Sequence, residues 1–145
     1  MAADRSYIAE NDRERRRLEA LVGKLDDAAL SRAMPAGWTA AGVLAHLAFW
    51  DQRIVVLAEL LRRGATVPTE NPTDVDWIND AAKPTQLALP PRRAATLAVE
   101  AARAADQAVA TLSDELLARN AAAGSPINLL RAEHRREHLD EIEQV

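Results

Sequence analysis

The chain has 145 residues, a formal charge of −4 and no cysteine, a length suited to one domain whose core needs no covalent staple. Without cysteine there is no disulfide framework, iron–sulfur cluster, cysteine nucleophile or thiolate-built zinc finger. Eighteen basic residues stand against twenty-two acidic ones, and the densest basic run, Arg13 to Arg17, is broken by Glu14, which argues against nucleic-acid binding. No apolar run approaches the roughly 18–20 residues of a membrane span, and Met1-Ala2-Ala3-Asp4-Arg5 lacks the apolar stretch of a signal peptide. A soluble cytoplasmic protein is expected.

Alanine (31) and leucine (18) dominate the 70 hydrophobic residues, whereas valine, isoleucine and the aromatics together number 19. That composition favours helices over sheets, and small alanine side chains let helices approach closely. The prediction is an all-α fold, a single four-helix bundle over residues 1–145.

The first helix is predicted from about Asp4 to Leu25, with Tyr7, Ile8, Leu18, Leu21, Val22 and Leu25 on one face. Its middle, Glu10 to Arg17, is almost wholly charged, and Asn11 and Arg15 interrupt the apolar stripe. Two readings follow: a solvated stretch of Glu–Arg pairs, or a polar wall facing an internal site. Pro35 and Gly37 then break the chain, and Thr39 caps a second helix that runs to Arg63, with Gly64 just past its end. Its inward stripe is Leu44, Leu47, Ile54, Ala58 and Leu61.

From Ala65 to Pro91 a long crossover contains Pro68, Pro72 and Pro84, with a short helix expected near Asp74 to Ala82, capped by Asp74. Either it covers one end of the bundle and shapes access to a site there, or it is a plain connector. The third helix is placed at about Arg92 to Thr111, facing inward through Leu97, Ala101, Ala104, Ala105, Ala108 and Leu112, with a bend or restart at Ser113-Asp114-Glu115. Ser125-Pro126 supplies a cap and a first-turn proline for a fourth helix running to near the C-terminus.

The three histidines are His46, His134 and His138, and the last two form His134-Arg135-Arg136-Glu137-His138. Imidazoles four residues apart share one helical face, the spacing that lets one helix hold a metal at two corners. The line Ile127, Leu130, His134, His138, Ile142 follows three- and four-residue steps, so both rings are expected to point inward. His46 lies in the apolar run Val43-Leu44-Ala45-His46-Leu47-Ala48-Phe49-Trp50, where a polar side chain needs a partner. Either each histidine is a core residue satisfied by a neighbouring carbonyl or carboxylate, or the three share a metal.

The motifs Gly37-Trp38-Thr39, His46-Leu47-Ala48-Phe49-Trp50-Asp51, Val75-Asp76-Trp77-Ile78-Asn79 and His134 to Ile142 resemble the DinB-like (DinB/YfiT-like) four-helix proteins. These are relatives of the N-terminal domain of mycothiol-dependent maleylpyruvate isomerase. The likeness covers nearly the whole chain and implies that His46, His134 and His138 are metal ligands. Some members use the metal with a low-molecular-weight thiol to transfer or isomerise, others are hydrolases, and the name does not imply DNA polymerase activity.

Three neutral imidazoles leave a divalent cation, zinc or nickel first, with an open position. There a water reaches a pKa near 7 or a thiol is held as thiolate. In a chain without cysteine such a thiol comes from a cosubstrate such as mycothiol, bacillithiol or glutathione. Glu141, three residues beyond His138, is the first candidate to orient a ligating imidazole, followed by Glu137 and Asp51. Trp50, Asn11, Arg15 and Trp77 are candidate pocket residues. The expectation is a metal-dependent enzyme of thiol-transferase, isomerase or hydrolase type acting on a small molecule. The competing reading is a non-catalytic bundle, homodimeric through an alanine-rich face, with a structural metal or a ligand-binding pocket.

Overall fold

The computed structural model describes residues 3–69 and 71–144. Its helices are α1 (Tyr7–Lys24), α2 (Asp27–Leu30), α3 (Ala40–Arg62), α4 (Pro72–Ala88), α5 (Pro91–Ala110), α6 (Asp114–Ala122) and α7 (Ala132–Gln144). The four bundle helices form a ring in which α3 packs on α5, α5 on α1, α1 on α7 and α7 on α3. The phenol of Tyr7 donates to the carbonyl of Val109 while Arg92 donates to the carbonyls of Val22 and Leu25, so α1 and α5 are antiparallel. Arg62, at the end of α3, donates to the carbonyl of Ala108 near the end of α5, which makes those two neighbours parallel. Two parallel neighbours in succession require a return path, and α4 supplies it by running back along α3.

Local chemistry sets most of the boundaries. Thr39 accepts from the Gly42 backbone N–H at 2.9 Å and starts α3, as the sequence predicts. The crossover helix is longer than the predicted Asp74–Ala82 span. Asn71 rather than Asp74 is its cap, Pro72 fills the first turn, and the helix continues through Pro84 to Ala88 because its inner side packs on α3. An added Cβ on Gly42 lies 2.8 Å from the Leu87 side chain, so this glycine is what lets α4 approach α3 closely.

The fourth bundle helix starts later than predicted. Ser125 takes a left-handed φ of 55° after Gly124, and the chain stays non-helical until Ala132. Asn120 holds this segment, donating to the Ile127 carbonyl and accepting from the Ile127 N–H, both at 3.0 Å. Ile127 and Leu130 therefore precede α7. The deepest stripe of α7 is Arg135, Leu139 and Ile142, with His134 and His138 half-buried at its edge. On α5 the face is also rotated slightly: Ala95, Ala98 and Ala102 are buried with Ala101, Ala105 and Ala108, while Ala104 is exposed.

The apolar core comes in two parts. One gathers Leu18, Leu30, Leu44, Leu47, Ala98 and Leu139, the other Tyr7, Ile54, Leu61, Val109, Leu112 and Ile127. Between them lies a buried polar layer of Asn11, Asp51, Asp106, Arg131 and Arg135. By length and composition α3 is apolar enough to cross a membrane, but 67% of that window is buried inside the fold, as befits the helix in contact with α4, α5 and α7.

Candidate metal centre

His46 stands on the second turn of α3, and His134 and His138 on the first two turns of α7. The start of α7 is fixed from another helix: Asn11 accepts from the Ala132 N–H at 2.9 Å and donates to the Leu129 carbonyl at 2.9 Å. This satisfies one of the free N–H groups of a helix N-terminus.

Nε2 of His134 lies 3.2 Å from Nε2 of His46 and 3.1 Å from Nε2 of His138, and the His46 and His138 ring centroids are 4.9 Å apart. Ligand atoms from all three lie within 4.8 Å of one another. A tetrahedral ion with metal–nitrogen bonds of about 2.0–2.1 Å spaces its ligand nitrogens by about 3.3–3.4 Å. The cluster fits one shared divalent cation.

Burial, with a smaller contribution from His138, pushes His46 down to about 4 and His134 to about 3. Both are neutral at pH 7, the form that binds metal. Nδ1 of His138 meets a carboxylate oxygen of Glu141 at 3.1 Å, a contact that orients the ring and leaves Nε2 facing the other imidazoles. Nδ1 of His46 is buried without a hydrogen-bond partner.

Cavities flank the cluster on two sides. The smaller, about 330 Å³, is walled by Trp50, Arg53, Asn128 and Arg131. The larger, about 710 Å³, is walled by Trp38, Asp76, Asp80, Lys83 and Glu141. His46, His134, Asn79 and Glu137 line both. The Trp50 indole N–H donates to Asn79 at 2.7 Å and ties α4 to α3 across the smaller cavity. Lys83 donates to the Ala36 carbonyl and lies 4.9 Å from the centre of the Trp38 ring.

The other candidates distribute themselves differently. Asp51 is not beside a histidine. It accepts from Arg131 Nε at 3.0 Å and from Arg135 Nη2 at 3.3 Å, and burial pushes its carboxyl up despite both guanidinium groups. Asn11 caps α7, and Arg15 pairs with Asp106 at 2.7 Å and Asp12 at 2.8 Å, so both belong to the polar layer and neither lines a cavity beside the histidines. Trp77 is 59% exposed and donates to Asp74, away from both cavities. The pocket contribution of α4 comes instead from Val75, Asp76, Asn79, Asp80 and Lys83.

A family model described as the DinB superfamily matches residues 10–141. The chain belongs to the DinB superfamily. No curated protein and no solved structure gives a significant match. In this DinB-superfamily chain the matched span contains all three histidines. Sequence reasoning missed Arg135, which is fully buried and donates to Asp106 through both terminal nitrogens, at 2.9 and 2.7 Å. Its signal was available in Asp51 and Asp106: lone carboxylates on the inward faces of two apolar helices call for a buried cation.

Proposed function

We propose that this protein is a metal-dependent enzyme of thiol-transferase or isomerase type acting on a small molecule, with His46, His134 and His138 holding zinc or nickel. The observation that carries the reading is the pair of cavities on two sides of the histidine cluster. A closed structural centre needs no cavity, a hydrolase needs room for one organic substrate and water, and a transfer reaction needs room for two molecules. When bound, the metal supplies a Lewis acid that activates a coordinated water or holds a thiol as its thiolate.

The remaining chemistry belongs to the side chains. Glu141 orients His138. Asn79, held by the Trp50 indole, offers its amide N–H groups between the two cavities. Glu137, whose side chain lines both, is the carboxylate positioned to take or return a proton. Because the chain has no cysteine, the thiol is a cosubstrate. Mycothiol, bacillithiol and glutathione titrated into metal-loaded protein in a calorimeter test the reading. One of them binds saturably, and the binding disappears in the His138→Ala variant. Full metal occupancy with no thiol bound leaves the hydrolase or the non-catalytic module in its place.

A further inference from the structure

A groove of about 790 Å³ lies between α3, α4 and α5, on a face of α3 next to the one that carries His46, with Arg53 at the border of the two. Ala45, Ala48, Ala101 and Ala104 line it with side chains too small to fill it, and Phe49, Val56 and Leu97 supply the larger apolar surface. Phe49 and Val56 are 38% and 52% exposed, unusual for large apolar groups on the central helix of a bundle. The groove is an open surface concavity rather than an internal void. Its volume lies within the roughly 300–1,000 Å³ of small-molecule sites, which are mostly apolar with a few placed polar groups.

The polar group here is Gln86. It is 6% exposed and lines the groove, yet neither its amide nitrogen nor its amide oxygen has a hydrogen-bond partner. A buried amide left unpaired is destabilising, and leucine or methionine at this position packs without that penalty. An unpaired donor beside an unpaired acceptor is complementary to a molecule that presents an acceptor beside a donor.

We propose that this groove is a second binding site, for an apolar small molecule bearing a primary amide or lactam edge. The ligand's apolar body lies on the alanine floor against Phe49 and Leu97. Gln86 turns its amide into the groove and forms two hydrogen bonds with that edge. No histidine lines the groove, so occupancy does not depend on metal.

The test uses two fluorescent probes with the full chain: 2-naphthamide, which has the donor–acceptor edge, and N,N-dimethyl-2-naphthamide, which lacks the donor. Wild type binds the first about tenfold tighter, the difference expected of one added hydrogen bond, whether metal or chelator is present. Gln86→Leu brings the two affinities within about twofold. Ala104→Trp, a substitution at an exposed position on the rim, weakens both at least tenfold without unfolding the bundle. Absence of saturable binding in wild type overturns the proposal, as does discrimination that survives Gln86→Leu. So does a wild-type dimer in sedimentation that Ala104→Trp dissociates, since the groove is then an interface between copies of this chain.

Discussion

Two polar clusters share α7 and meet opposite fates. On the inner side, Arg135 and Arg131 are matched by Asp51 and Asp106, charge against charge at 2.7–3.3 Å. On the edge, three imidazoles point their Nε2 atoms at one another with no carboxylate between them. Three neutral rings cannot all donate and all accept around one point, and one shared cation could satisfy all three. The buried layer pairs its charges within itself, although the Nε of Arg135 has no partner, and joins the two apolar cores, whereas the histidine cluster opens onto two cavities. Polar burial therefore identifies neither a site nor a scaffold by itself. What separates them is whether the groups satisfy one another.

Breaking the inner cluster has the largest expected effect. Arg135→Ala removes the guanidinium shared by the buried carboxylates of Asp51 and Asp106, leaving them only Arg131 and Arg15, and lowers stability by about 3–5 kcal/mol, measured by urea denaturation. Leu47→Ala, which opens a cavity at a residue 1% exposed, follows at about 2–5 kcal/mol. Neither substitution removes a metal ligand. Glu141→Gln, which weakens the hold on His138 and leaves the fold intact, reduces metal affinity by about tenfold or more, read by competition with a chromophoric chelator.

A further effect is on pH dependence. In the unfolded chain histidine titrates near 6.5, while burial holds His46 at about 4 and His134 at about 3 in the folded protein. As pH falls below 6.5 the unfolded chain binds protons that the folded one refuses, so these two groups withdraw stability progressively until their folded values are passed. In chelator, His134→Gln loses less stability than wild type between pH 6.5 and 4 in thermal melts. Equal slopes contradict the burial assigned to His134.

The helical class, the Thr39 cap, the crossover and the shared face of His134 and His138 were legible because each rests on a local signal: composition, a capping residue, a proline cluster, a four-residue spacing. That His46 joins the pair was implied by the family resemblance. The polar layer was not. Asn11 and Arg15 stood out correctly as interruptions of an apolar stripe, but their partners, Ala132 and Asp106, are 121 and 91 residues away in the chain. Ser125-Pro126 carried the signature of a helix start, and tertiary pinning by Asn120 and Asn11 overrode it. Asp51 was assigned to the histidines by proximity in sequence, and a buried guanidinium on α7 claimed it instead.

The central claim is that the three imidazoles together hold one ion, and metal content of freshly purified protein tests it most directly. Elemental analysis of wild type beside His46→Ala, His134→Ala and His138→Ala should give about one zinc or nickel per wild-type chain, and a marked loss in every variant, with each variant's helical circular dichroism retained. Metal content equal to wild type in any one of the three, or no metal bound by wild type even after incubation with zinc or nickel, contradicts it.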